Sequence, residues 1–163
     1  MSDQAKKIGW VFVLAALASF SPAWAEDGDA IVGVWFTDND DSKVEIFKCG
    51  EQYCGKIIWL KEPIYAADDE MAGQPKVDRE NGKKKLRNRP IVGLEIMTGF
   101  TFEEGEWSGG KIYDPEKGKT YKCRMELSSD GALNVRGYIG IPALGRTTKW
   151  TRKPQNEMKN ENG

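Results

Sequence analysis

Apolar and polar side chains alternate with a period of two through much of the second half of this chain. Over residues 120–128, Tyr121, Cys123, Met125 and Leu127 fall on one face, and Thr120, Lys122, Arg124 and Glu126 on the other. That pattern marks a strand wetted on one side only. It recurs over 132–140, where Leu133, Val135, Gly137 and Ile139 oppose Asn134, Arg136 and Tyr138, and again where Val92, Leu94 and Ile96 oppose Glu95. Followed along the chain, it predicts eight strands: 31–37, 43–49, 54–60, 91–100, 109–114, 120–128, 132–140 and 146–152. The connections carry turn chemistry, as in Asp38-Asn39-Asp40-Asp41, Asp114-Pro115-Glu116-Lys117-Gly118 and Ser129-Asp130-Gly131. Short strands at this spacing predict an all-β antiparallel meander that closes into a sandwich or a barrel. Ile57-Ile58-Trp59-Leu60 is apolar on both faces, which fits a strand covered on its outer side as well.

Residues 61–90 break the pattern and join the third and fourth strands with little periodicity. Compact domains seldom keep so long a connection without a use. A short helix near 83–87 and a lid over one end of a barrel are expected from it. The polar residues 153–163 read as a disordered tail.

Ahead of the first strand the chemistry is different. Lys6 and Lys7 precede an uncharged run over 8–20, and Ala23-Trp24-Ala25 places small residues where a signal peptidase reads. The pattern predicts a secretory signal over 1–25, cleaved after Ala25. Its apolar run is short for a bilayer core of ~30 Å. No Cys follows the cleavage site and no twin Arg precedes the run, so neither a lipid anchor nor a folded-protein export route is indicated. The division expected is a leader over 1–25, one β domain over 26–152 and the tail, in a periplasmic or secreted and oxidising location.

The 24 Lys and Arg nearly balance the 25 Asp and Glu. Losing the leader removes two Lys and one Asp and changes little. Such a chain is no general magnet for nucleic acid or anionic lipid, and none of its further segments is long and apolar enough to be a transmembrane helix. Histidine is absent altogether. That excludes Ser-His-Asp and Cys-His catalysis in their usual forms, and it removes the commonest zinc and copper ligand. No metal or other cofactor is expected.

Several stretches become familiar together: Gly33-Val34-Trp35; Cys49 and Cys54 around a turn, running on through Gly55-Lys56-Ile57-Ile58-Trp59-Leu60-Lys61; Leu86-Arg87-Asn88-Arg89-Pro90-Ile91-Val92-Gly93; Trp107-Ser108-Gly109-Gly110-Lys111-Ile112-Tyr113-Asp114-Pro115; Val135-Arg136-Gly137-Tyr138-Ile139-Gly140; and Gly145-Arg146-Thr147-Thr148-Lys149-Trp150-Thr151-Arg152. The set resembles the DUF2147 family of small exported bacterial proteins. The resemblance implies a lipocalin-like or calycin-like up-and-down barrel, a periplasmic or secreted location, and no established catalytic residues. A third cysteine, Cys123, is more than that framework needs. Gly33-x-Trp35 also resembles the calycin opening, in which a Trp plugs one barrel end under an Arg from the last strand. Arg152 is the candidate partner and Arg146 the alternative, in a structural role.

Cys49 and Cys54 flank Gly50-Glu51-Gln52-Tyr53, and a four-residue turn would set them opposite each other at the base of a hairpin, fit for a disulfide. Cys123 lies on an apolar face and reads as a small buried hydrophobe. A calcium loop starting at Asp38 would need Gly at 43 and Glu at 49; the chain has Lys43 and Cys49, so a solvated turn is expected. Lys83-Lys84-Lys85-Leu86-Arg87-Asn88-Arg89 is the one basic cluster, and Arg87 and Arg89, beside Pro90, are its candidates for meeting an anion at the barrel rim. Glu45, Glu95, Asp114 and Glu126 are strand carboxylates, yet glycosidase chemistry needs two at a fixed separation across a cleft.

Three functions are compatible with these residues. The first is a periplasmic binding module, with Trp59, Ile96, Tyr121, Met125 and Val135 walling a small apolar or amphipathic ligand whose polar end Arg87 and Arg89 meet. The second is a non-catalytic envelope module with a filled barrel, offering Trp59, Trp107, Tyr113 and Tyr138 to a protein partner. The third is a carboxylate-dependent hydrolase. A cavity would favour the first, a packed interior with an exposed apolar patch the second, and two converging carboxylates the third.

Overall fold

The computed structural model describes residues 27–153. The expected leader and residues 154–163 of the polar tail lie outside the described residues. Alternation within each segment gives nine antiparallel strands: β1 (Gly33–Phe36), β2 (Ser42–Cys49), β3 (Gln52–Leu60), β4 (Glu95–Glu103), β5 (Glu106–Ser108), β6 (Lys111–Asp114), β7 (Lys119–Leu127), β8 (Leu133–Tyr138) and β9 (Arg146–Trp150). They form one sheet in the order β1-β2-β3-β4-β5-β7-β8-β9, with β6 paired to both β4 and β7. Phe36 and Thr151 exchange backbone hydrogen bonds of 2.7 and 3.0 Å, so β1 meets the residue that follows β9.

Beyond shifts of one or two residues at strand ends, three differences from the sequence expectation have a cause in the packing. The strand expected over 109–114 starts at Lys111, and a short strand that was not expected, β5, precedes it, because the chain steps at Gly109 and Gly110. Gly109 has φ of 75°, and a Cβ on Gly110 would lie 2.5 Å from the Phe100 ring. The strand expected from residue 91 starts at Glu95, since Ile91 and Leu94 close a turn through Leu94 N–H and the Ile91 carbonyl. The turn between the two cysteines holds only Gly50 and Glu51; Cys49 pairs with Gln52, and Cys54 with Phe47. The Cys49–Cys54 disulfide therefore runs diagonally across the hairpin, over a Cα separation of 5.9 Å.

Each strand sends alternate residues into one core. Trp35, Val44, Ile46, Ile57, Met97, Phe100, Cys123, Met125, Leu133, Val135 and Trp150 meet there. Antiparallel alternation sorts the connections to two ends. The segment 27–32, the 50–51 turn and the residues after β9 gather at one end; the 37–41 turn and segments 61–94, 115–118 and 139–145 gather at the other.

The first end is sealed. Gly28–Ile31 forms a 3₁₀ turn and buries Ile31 completely. The Trp35 indole N–H donates to the Ile31 carbonyl at 2.7 Å, and the Trp107 indole N–H to the Gly28 carbonyl at 2.9 Å. Arg152 lies over the Trp35 ring at 4.2 Å while its guanidinium donates to the Ala30 carbonyl at 2.6 Å. The opposite end is built from longer and more varied segments.

Candidate functional site

Segment 61–94 carries a short 3₁₀ turn, Lys84–Leu86, and two isolated bridges, Ile64 with Pro75 and Val77 with Pro90. It buries Tyr65, Ile91 and Leu94, the last two within the main core, so the segment is anchored by apolar side chains. Its polar anchor is Asp78, which is completely buried. One Asp78 oxygen accepts the Tyr113 hydroxyl at 2.6 Å. The other accepts Arg89 Nε at 2.8 Å and Asn81 Nδ2 at 2.7 Å. Burial, then the bond to this carboxylate, pushes the Tyr113 phenol above its ordinary pKa. Arg87 Nε donates to the Asn81 carbonyl at 2.8 Å. The β6–β7 turn presses on the same stretch: Gly118 has φ of 63°, and a Cβ there would collide with the Glu80 carbonyl. Only a glycine fits both the backbone and the space.

Beside this anchor the interior opens. Along β7, Cys123 and Met125 are 1% and 0% exposed, whereas Tyr121 on the same face is half-buried. Along β8, Leu133 and Val135 are buried, whereas Gly137 is half-accessible. A Cβ on Gly137 would sit 3.7 Å from Ile112 and 3.7 Å from Tyr121, at ordinary contact with neither clashing. Thr148 and Arg146 continue the same face on β9, opposite Val135 and Gly137. Lys119 continues it on β7, two residues beyond Tyr121. The half-buried Ile112, Tyr121, Gly137 and Thr148, with the exposed Lys119 and Arg146 beyond them, make up the loop-end mouth of this face. Neither cation has an ion pair among the described residues.

The expected wall residues divide accordingly. Ile96, Met125 and Val135 belong to the sealed core, because a ligand-sized void would leave them open to a water-sized sphere, and they are 8%, 0% and 2% exposed. Tyr121 alone of that set reaches the mouth. Trp59 points outward, opposite Lys43, whose ammonium stands 5.0 Å from its ring. Arg89 is committed to Asp78 through Nε, whereas Arg87 gives only its Nε to the Asn81 carbonyl and is otherwise exposed. Trp107 is 2% exposed and Tyr113 donates to Asp78, so neither is a surface anchor; Tyr138 is half-buried.

Glu45 and Glu95 flank Lys56 on the outer face, and Glu45 pairs with it at 2.9 Å. Asp114 holds Lys117 at 2.7 Å, and Glu126 lies on the outer face of β7. Among the described residues no three metal-ligating side chains cluster, and no helix is long and apolar enough to cross a membrane. Burial raises the Cys123 thiol to about 12, which leaves it a packing group. An open basin of about 580 Å³ lies on segment 61–94, lined by Asp68, Asp69, Glu70, Arg79, Glu80 and Arg87. Asp69 and Arg79 neutralise each other there at 2.8 Å.

Sequence reasoning missed Asp78, Asn81 and Gly137 as determinants of this end. The profile of the family described as "Uncharacterized protein conserved in bacteria (DUF2147)" matches residues 33–152. A solved structure of protein HP1028 from Helicobacter pylori, described as belonging to the lipocalin family, is similar at 27% identity with a TM-score of 0.63. The match covers 79% of this chain and 86% of that one. No curated protein matches.

Proposed function

We propose that this chain, which belongs to the DUF2147 family, is a non-catalytic binding protein that takes a small amphipathic molecule into the mouth of a lipocalin-like barrel. The observation that carries this reading is the change along one interior face. It is sealed at Cys123, Met125 and Val135 and half-open two residues further on, at Tyr121 and Gly137. The likeness to a lipocalin-family protein supports binding in general. An eight- or nine-stranded barrel has room for little beyond its own side chains or one small ligand, and here the lower interior is already filled. The ligand is therefore held shallowly, its apolar part against Ile112 and Tyr121 and an anionic end at Lys119 or Arg146. The disulfide and the leader-like residues 1–25 support an exported, periplasmic setting.

Gly137→Leu tests the reading, because the side chain would project into the mouth from a position with space for its Cβ. A dansyl-labelled fatty acid is expected to gain fluorescence with the native protein and to bind about tenfold or more weakly to Gly137→Leu and to Arg146→Glu. Equal binding by all three proteins sinks the proposal. The sealed core favours a second reading, a filled barrel that serves as an envelope interaction module. Absence of any dansyl signal with the native protein, together with a bare mass under native conditions, would select it.

A further inference from the structure

Three large aliphatic side chains stand in water on one connection, the β8–β9 loop. Leu144 is 80% exposed, Ile139 69% and Ile141 58%. Such exposure costs stability in a flexible loop that could fold the side chains inward, and this loop is prevented from doing so. Arg136 grips it from the outer face of β8, donating to the Pro142 carbonyl at 2.7 Å, the Ala143 carbonyl at 3.2 Å and the Thr147 hydroxyl at 2.8 Å. Gly145 packs against the sheet so closely that a Cβ would lie 2.7 Å from the Gly137 carbonyl and 2.8 Å from Tyr138 Cβ. The Leu144 and Gly145 N–H groups close two tight turns on Ile141 and Pro142. The apolar tip is held out.

Beneath it three cations stand near the tip, and the 37–41 turn at the same end carries Asp38, Asp40 and Asp41. Lys122 pairs with Tyr138, the last strand residue before the tip, and faces Lys111 directly across β6 and β7. Like charges so placed repel. Arg146 follows the tip immediately. All three are exposed and without an ion pair among the described residues. The adjacent β6–β7 turn offers two carboxylates: Asp114, already bound to Lys117, and the exposed Glu116.

We infer that this tip docks on the surface of an anionic phospholipid bilayer, with Ile139, Ile141 and Leu144 entering the headgroup boundary and Lys111, Lys122 and Arg146 meeting the phosphates. A stable protein interface buries roughly 800 Å² on each partner, far more than one turn supplies. A bilayer accepts an isolated apolar tip framed by cations. The chain's near-zero net charge does not oppose this, because the collar acts within a Debye length of ~8 Å. The inference is independent of the ligand reading, although docking would bring the mouth, at the same end, to the lipid surface.

Co-sedimentation of the protein from Glu26 onward, without the expected leader, with vesicles of phosphatidylglycerol and phosphatidylethanolamine tests it. Binding is expected, reduced about tenfold or more by the double change Ile141→Ser and Leu144→Ser and also by Lys111→Glu with Lys122→Glu. Phosphatidylcholine vesicles should bind weakly, and added salt should release the protein. These positions are on the surface, so unchanged melting and circular dichroism will certify folding. Dansyl fatty acid binding without vesicles should survive the lysine changes, which separates this test from that of the mouth. No binding to the anionic vesicles, or undiminished binding by the tip variant, overturns the inference. So does equal loss from Leu127→Ser at the opposite end. Self-association abolished by the tip variant would instead assign the tip to a second copy of the chain.

Discussion

Asp78→Ala should loosen the loop end while leaving the strands intact. The native carboxylate is completely buried and receives three donors: the Tyr113 hydroxyl, Asn81 Nδ2 and Arg89 Nε. Truncation strands them unequally. The Arg89 side chain is 36% exposed, so water takes over much of its solvation and its share is small. Asn81 is 6% exposed and Tyr113 half-buried, and each orphaned donor costs on the order of 1 kcal/mol or more. They recover part of that from each other, standing 2.9 Å apart. With the small void added, the loss comes to about 3 kcal/mol. For a domain of this size that lowers the melting midpoint by roughly 10 °C. Calorimetry measures it directly, and limited proteolysis should show the first cut moving into 61–94. Tyr113 supplies a second readout. Its raised pKa means that the native state favours the phenol form, a contribution present below the ordinary tyrosine range and lost as pH climbs through the raised value. In Asp78→Ala an ultraviolet titration should bring Tyr113 back toward the ordinary value. A variant melting within about 1 °C of the native protein, with the tyrosine titration unmoved, would refute the anchoring argument.

Arg152→Ala removes the cation over Trp35 and the bonds to the Ala30 and Val32 carbonyls; a loss of about 1–2 kcal/mol and a change in tryptophan emission are expected in denaturant titration. Cys123, its thiol pushed up to about 12 by burial, should resist iodoacetamide at neutral pH in the native state and react once unfolded, as mass spectrometry will show. Asp130 is held at about 2 by Lys149 first, then by the Ala132 N–H and Ser128. Its contribution is present above the ordinary carboxylate value and lost as pH falls toward about 2, so Asp130→Asn should flatten that part of an acid melting series.

The sequence pattern makes the strands and their faces legible because a period of two is a local property. Tyr121, Cys123 and Met125 share a face in the sequence and in the fold. Steps imposed by packing are not local. The break at Gly109 and Gly110 follows from the Phe100 ring lying where a side chain would go, and Phe100 is in another strand. The two-residue turn at Gly50 and Glu51 is also set by pairing, with the disulfide closing diagonally across it. Asp78 was the least visible. It sits in a polar stretch among neighbours of both charges, and the distant Tyr113, with Asn81 and Arg89, turns it from a solvated residue into a buried anchor.

Height along the strands is the quantity that periodicity omits, and the proposed function turns on it. Met125 and Tyr121 are equivalent by face and four residues apart along β7, yet one is sealed and the other reaches solvent. Antiparallel register supplies the missing coordinate. Because β8 pairs Val135 with Met125 and Gly137 with Cys123, the glycine falls one step nearer the loop end. The same step carries β9 from Thr148 to Arg146. Gly137 and Arg146 therefore share a level with Cys123, and Tyr121 stands one step further toward the loop end on the same face. An aliphatic residue at 137 would have continued the packed interior, since the space beside Ile112 and Tyr121 admits a Cβ without strain. The gap therefore is not a steric demand of folding, and the proposed binding role would account for it.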